Sequence, residues 1–303
     1  MMLSNVMNNP NITNNKKKHK SKQKKINLTL IYVGLIFASL VVILPFLIIV
    51  ITSFKTNRDA LSDTFTLIGA KDGFSFQGYQ ELFSYTDENG VPLIITGFLN
   101  TLLVSVVPTI VSLFFSALAA FAFAKIKFKF SKLFFNILIF TMMIPGTILL
   151  VPHYLMYESF GWIDTFMPLI IPGLWGSAST IFFLRQFMYG IPDSLIESAK
   201  MDGLSWFTIF IRIILPLIVP ALLAQGLLSF IAHYNAYLGP YIYLQSPGMY
   251  TLQLVVANFR GFAGKNYPAI MACSIVTILP ILIIYAIFQN YFVEGIATTG
   301  MKL

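Results

Sequence analysis

Six stretches of this sequence, residues 28–51, 93–124, 133–152, 166–184, 209–231 and 267–292, are apolar over about the 20 residues that a helix needs to cross a bilayer. In lipid, backbone polar groups must be satisfied inside the segment, so such runs are read as membrane-spanning helices. The expected fold class is therefore an all-α polytopic membrane protein with six transmembrane helices. The second and sixth runs are longer than a bilayer requires and must tilt, kink or project. Composition agrees, because 57% hydrophobic against 11% charged residues leaves too little charge to cover a soluble domain of 303 residues. The single cysteine, Cys273, excludes an internal disulfide and lies in an apolar run, where a small core residue is expected.

Charge sets the expected direction of the chain. Residues 1–27 are polar and unpatterned, with seven lysines between Lys16 and Lys25, and are expected to form a disordered tail. Its basic run resembles the start of a signal peptide, but the apolar run that follows is too long for one and lacks a small-residue cleavage site. It is read as an uncleaved first span. With the tail inside, Lys125, Lys127, Lys129, Lys132, Arg185, Lys200, Arg212 and Lys302 also fall on the cytoplasmic side, and Asp59, Glu81, Asp87, Glu158 and Asp164 fall outside. Short basic loops weigh most in the positive-inside rule, so both termini are expected in the cytoplasm. The net charge of +8 is then a topology signal that touches lipid headgroups, not a nucleic-acid surface.

Absent motifs narrow the function. The sequence has no G-x-x-x-x-G-K-[ST] phosphate cradle, no H-E-x-x-H, no C-x-x-C and no G-x-S-x-G. Its three histidines, His19, His153 and His233, are far apart, so neither a metal site nor a cofactor is expected. Ion-coupled transporters usually hold an ionisable residue near the membrane centre, and the centres of the six runs contain none. The reading is a path for a solute whose energy source lies in a partner.

The segment most suited to meet that partner is the loop between the fourth and fifth runs. Pro192 and Asp193 mark the start of a short helix, and Ser194 with Glu197 matches the S-x-x-E capping box. Gly203 is a natural left-handed stop. Leu195 and Ala199 offer apolar contacts, and Ser198 and Ala199 are small enough for close approach. Surface helices that lie on lipid favour basic faces, whereas Lys200 here stands against Asp193, Glu197 and Asp202, which favours docking to a protein. Beyond it, Pro216 and Pro220 each remove a helix hydrogen bond and predict a bent elbow at the start of the fifth span.

Glu197-Ser198-Ala199, Gly203 and the later Ile213-x-Leu215-Pro216 resemble the EAA loop of ABC importer permeases, here spanning residues 194–220, with Ser198 where alanine is usual. Residues 229–240 (SFIAHYNAYLGP), 250–254 (YTLQL), 74–83 (FSFQGYQELF) and the tail 290–300 are similar to the carbohydrate-uptake branch, in particular its maltose-type G subunit. Glu294 departs from the basic residue more usual there.

The resemblance implies a type I importer membrane subunit over residues 28–303 in a bacterial plasma membrane. It would carry no enzymatic activity of its own. Its partners would be a second, homologous permease, two ATP-binding subunits and an extracellular solute-binding protein. Ser194, Glu197, Ser198, Ala199, Asp202, Gly203 and Pro216 would couple to the ATPase, and Gln245, Arg260 and Lys265 would face the binding protein. For the solute path, residues 232–243 supply aromatic and amide groups suited to sugars. A straight helix from Phe207 rises about 1.5 Å per residue, which places Asn235 roughly 40 Å up, at the outer mouth. Tyr237 is a candidate for the same path, though the tyrosines here also read as an aromatic belt at the headgroups. The expected cargo is a di- or oligosaccharide. The alternatives are glycerol 3-phosphate or another small solute in the same superfamily, or an ion-coupled secondary transporter.

Overall fold

The structure is a computed structural model that describes residues 10–62 and 72–300, with side chains placed for residues 28–62 and 72–289. Among the described residues the regular elements are helical, apart from one isolated bridge between Thr86 and Pro92. Four helices are long and apolar enough to span a membrane, or up to six if two sharply bent pairs each count as one span.

The first helix, α1, runs over Pro10–Ser53. It therefore begins inside the stretch expected to lack structure. Lysine and glutamine are good helix formers, and extending an existing helix costs far less than nucleating one. Its apolar part, Leu28–Ser53, buries none of its most apolar window within the chain, so those side chains require lipid or another protein. A short helix, α2 (Gln77–Ser84), leads to α3 (Leu93–Lys125), the central element of the fold.

The third apolar run is not one straight span from 133 to 152. It divides into α4 (Ser131–Thr141), a 3₁₀ turn at Gly146–Leu149 and α5 (Leu150–Ser159), with an 81° bend between the halves. Pro145, at the head of that turn, has no amide to donate and disfavours a helical residue before it, which accounts for the break. The fourth run also breaks: a helical turn at Met167–Ile170 and a 3₁₀ segment at Ile171–Trp175 precede α6 (Ala178–Tyr189).

The loop helix α7 (Asp193–Met201) follows. The expected elbow is present. A turn at Trp206–Ile209, a π-helical segment at Phe210–Ile214 and a turn at Leu215–Leu217 meet α8 (Val219–Tyr234) at 79°. At the same end as α2 lies α9 (Leu252–Ala263), and the last helix, α10, spans Tyr267–Gly300.

Two buried cores sit at opposite ends of α3. The outer one joins Leu82 and Ile94 to Phe230, Tyr234, Leu252, Phe259, Ala269 and Cys273, so the cysteine is the core residue expected. The inner one joins Ala117, Ala120 and Phe121 of α3 to Leu184 and Met188 of α6, Ile196 and Ala199 of α7, and Phe210, Ile214 and Ile218 of the elbow. Small residues on α3 are what allow this closeness, as in other membrane helix contacts.

Candidate functional site

Helix α7 has a different first turn from the one its sequence implies. Pro192 is the N-cap, with extended backbone (φ −60°, ψ 135°), and no side chain caps the helix. Ser194 therefore lies within the first turn, and Ser194 and Glu197 do not form a capping box. Asp193 is engaged elsewhere: Lys125 Nζ donates to its Oδ1 at 2.6 Å and to the Ile191 carbonyl at 2.6 Å. That hydrogen bond, together with the charge of Lys125, holds the Asp193 carboxyl below its ordinary value. The serine that does cap a helix here is Ser205, whose Oγ accepts from the Thr208 amide at 3.2 Å.

The C-terminal end matches expectation. Gly203 takes φ +78°, and the amides of Leu204 and Gly203 donate to the carbonyls of Ala199 and Lys200 at 3.1 and 3.0 Å. This is the paired 6→1 and 5→2 pattern of a Schellman stop, completed by Leu204 and Ala199 packing in the inner core. Ala199 therefore faces its own chain and is withdrawn from any partner, against the expectation that it admits one closely. Ile196 is buried beside it. Ser194, Leu195, Glu197, Ser198, Met201 and Asp202 remain exposed, with Met201 at 89%.

The same helix is tied to the elbow. Lys200 Nζ stands 3.7 Å from the centre of the Trp206 ring, a cation–π contact between the last turn of α7 and the first turn of the next element. Pro216 is exposed and lies in the turn that follows the π segment. The side chain of Lys125, the last residue of α3, is 3% exposed and pairs with Asp193, so α7 and the Lys125–Lys132 loop lie at one end of the bundle. There Lys125, Lys127, Lys129, Lys132, Arg185 and Asp193 line an open cavity of about 680 Å³.

At the opposite end the structure groups residues that the sequence does not pair. Asp164 sits in a left-handed conformation (φ 59°). Its Oδ1 accepts the amides of Gln245 and Ser246 at 2.8 and 2.9 Å, and its Oδ2 accepts the Ser246 hydroxyl. Burial raises the pKa of this carboxyl, but the hydrogen bonds from Ser246 and Gln245 outweigh it and hold it below the ordinary range. Asn100 Nδ2 donates to the carbonyls of Gly248 and Tyr250 at 2.9 and 3.0 Å, and Thr101 Oγ1 accepts the Leu252 amide at 2.7 Å. The segment from 244 to 266 that carries Gln245, Arg260 and Lys265 is thus anchored at three points and contains α9, with Arg260 on it and Gln245 and Lys265 exposed at its two sides. No local motif marks these anchors, since each partner lies some 80 or 150 residues away.

Asn235 is not 40 Å up. Because the chain turns through 79° at Ile218, the residues before it do not climb, and α8 has only 16 residues of rise, about 24 Å. His233, counted outside the spans in the sequence, lies inside the bundle with its Nδ1 3.2 Å from Thr109 Oγ1, half-way along α3. Asn235 caps α8, and its Oδ1 accepts from Gln253 of α9 at 3.2 Å; Tyr237 stacks on Tyr241 with centroids 5.5 Å apart. Among the described residues no cluster of three potential metal ligands occurs.

Comparison with known proteins places this geometry. Residues 112–298, from the middle of α3 to the end of α10, match the family described as binding-protein-dependent transport system inner membrane component. The chain belongs to this family. The permease is 31% identical over 283 residues, 93% of its length and 99% of the relative's, to the arabinooligosaccharides transport system permease protein AraQ of Halalkalibacterium halodurans. It is 32% identical to AraQ of Bacillus subtilis, over 92% of this chain and 96% of that one. It is 29% identical to the lactose transport system permease protein LacG of Rhizobium radiobacter, over 87% and 93%. A chain from the crystal structure of a bacterial ABC transporter involved in the import of the acidic polysaccharide alginate shares the fold, with a TM-score of 0.76 at 24% identity, covering 89% of the permease and 98% of that chain. The permease is thus a non-catalytic inner-membrane component of a binding-protein-dependent ABC import system, and these relatives are named for sugar transport.

Proposed function

We propose that this permease forms half of the translocation path of an ATP-driven importer of di- or oligosaccharides, and that α7 is the surface through which a separate ATPase moves it. The observation that carries the reading is the inner core. Ile196 and Ala199 of α7 pack in one cluster with Phe210, Ile214 and Ile218 of the elbow, so a push on α7 reaches the bent span through close-packed side chains. A coupled motion needs an element with two arrangements that both sites bias, and the π segment with its 79° bend is that element.

The exposed face of α7, with Ser194, Leu195, Glu197, Ser198, Met201 and Asp202, seats on the ATPase; Gly203 directs it and Pro216 stiffens the lever. Orientation follows from the shared end of α7 and the Lys125–Lys132 loop, which the positive-inside rule assigns to the cytoplasm together with both termini. The anchored segment around Gln245, Arg260 and Lys265 then faces outward, where a solute-binding protein docks. A second permease of the same family covers the remaining exposed apolar faces and completes the path. Oligosaccharide as the cargo draws on the names of the AraQ and LacG relatives.

The test is ATP-driven uptake by the assembled transporter in vesicles, with labelled arabinotriose, maltotriose and glycerol 3-phosphate as probes. Uptake of a trisaccharide supports the reading, whereas uptake of glycerol 3-phosphate alone refutes it. Glu197→Lys is expected to insert normally and to lower uptake per ATP hydrolysed roughly tenfold, the scale of one interface contact worth somewhat over 1 kcal/mol. Uptake at the unmodified level would remove α7 as the coupling surface.

A further inference from the structure

The fourth span is interrupted inside the membrane, and the interruption carries an exposed tryptophan. Ser177, the N-cap of α6, follows Met167 by 10 residues and precedes Tyr189 by 12, so it falls near the middle of the span. An independent measure agrees. The Ser177 amide donates to Ser116 Oγ at 3.0 Å, and Ser116 lies nine residues, about 14 Å, from the Lys125 end of α3. In a hydrocarbon core about 30 Å thick this is mid-depth.

Gly176 makes the break. It takes φ +96°, and a Cβ there would lie 2.8 Å from Ser116 Oγ, so only glycine lets the backbone rest on α3 while turning. The turn sends Trp175 outward, 74% exposed, with its ring centroid 6.2 Å from that of Phe115. Beside the break, the Ser177 and Ser179 hydroxyls are 2.8 Å apart.

Non-helical backbone at membrane depth is tolerated only where protein buries it or where it lines a water-filled cavity. Tryptophan in membrane helices belongs at the headgroup level, where its N–H is wet, and this one sits about 15 Å from either surface. The break itself is satisfied by its contact with Ser116 of α3, but a lipid-facing position does not suit the indole, whose N–H would have no partner. An aromatic face flanked by hydroxyls is the chemistry that holds a sugar ring, by stacking on its C–H face and hydrogen bonding to its edge.

We propose that the break at Trp175–Ser177 lines the water-filled path and that the Trp175 indole stacks on a sugar ring of the cargo as it passes the membrane centre, with Ser177 and Ser179 bonding its hydroxyls. This rests on the oligosaccharide reading above. It gives the chain a direct share in holding the solute, in addition to transmitting motion.

Two measurements on the assembled transporter test it. In the first, Trp175→Cys is exposed to a charged, membrane-impermeant methanethiosulfonate, and labelling of this chain is read by mass. The native Cys273 is 1% exposed and provides an unlabelled baseline. Labelling is expected, and it should slow in saturating trisaccharide. In the second, uptake of labelled arabinotriose and maltotriose is measured per assembled complex. Trp175→Ala should lower it roughly tenfold, and Trp175→Phe should keep most of it.

A sugar-importing transporter in which Trp175→Cys stays unlabelled overturns the inference, since the ring then packs on lipid or on the second permease. So does normal uptake by Trp175→Ala, or an alanine variant that fails to assemble where the phenylalanine variant assembles. If the unmodified transporter imports neither sugar, the oligosaccharide reading falls and the stacking falls with it. Labelling at position 175 would still show separately whether the break faces water.

Discussion

Asp164 shows how much one side chain does in the loops at the end of the bundle opposite α7. It lies in a short connection in a left-handed conformation that disfavours most side chains, and it holds the amides of Gln245 and Ser246 with one carboxylate. Its carboxyl is held below the usual range, so the sign of its pH effect follows. The stabilisation is complete above the ordinary carboxylate pKa, about 4, and disappears as pH falls through the lower folded-state value. Replacement by alanine should loosen the segment around Gln245 by about 1 kcal/mol, since hydrogen bonds to a charge are strong but partly screened at a solvated site. Docking of the solute-binding protein should weaken correspondingly, between pH 5 and 8 and by a similar factor throughout. Titration of that affinity in the two proteins checks this; an unchanged affinity would show that the clamp does not shape the docking surface.

At the scale of elements, α7 and the elbow behave as one piece. Ile196 and Ala199 share a core with the π segment, Lys200 reaches the Trp206 ring, and Gly203 between them sets the angle. No atom lies within 4 Å of a Cβ built on Gly203, so a substitution there has only its backbone cost. Gly203→Ala should destabilise this turn by about 1–2 kcal/mol, and Gly203→Asn by less, because asparagine tolerates the left-handed region. If direction is what matters, uptake per ATP should fall in the order glycine, asparagine, alanine. Equal loss in both variants would mean that the glycine is needed for contact with the ATPase instead.

Across the whole molecule, close approaches of backbone hold together the end of the bundle opposite α7. A Cβ on Gly78 of α2 would stand 2.7 Å from the carbonyl carbon and oxygen of Pro268 at the start of α10, and neither is the movable end of a side chain. Gly78→Ala should therefore cost about 1–3 kcal/mol through overpacking, and lower Tm in detergent by several degrees. Gly34→Ala in α1, where nothing lies within 4 Å, should be neutral or slightly stabilising. A Gly78 variant as stable as the Gly34 variant would show that α2 does not rest on α10 in the membrane.

Much was legible in the amino-acid order alone. The long apolar runs, the basic loop at Lys125–Lys132, the stop at Gly203 and the prolines before α8 are local signals, and local physics reads them: lipid length, charge across a membrane, backbone freedom and missing amides. They determined an all-helical membrane protein with a bent span and a short helix before it. Tertiary structure decided what those signals face. Ser194 does not cap because Pro192 starts the helix and Lys125, 68 residues before Asp193, draws its carboxylate. Ala199 turns inward, Asn235 stands lower than a straight helix would carry it, and Asp164 finds Ser246 across 82 residues. Each of these depends on a partner distant in the chain, and the residue types at either end are compatible with many partners. Only packing selects among them.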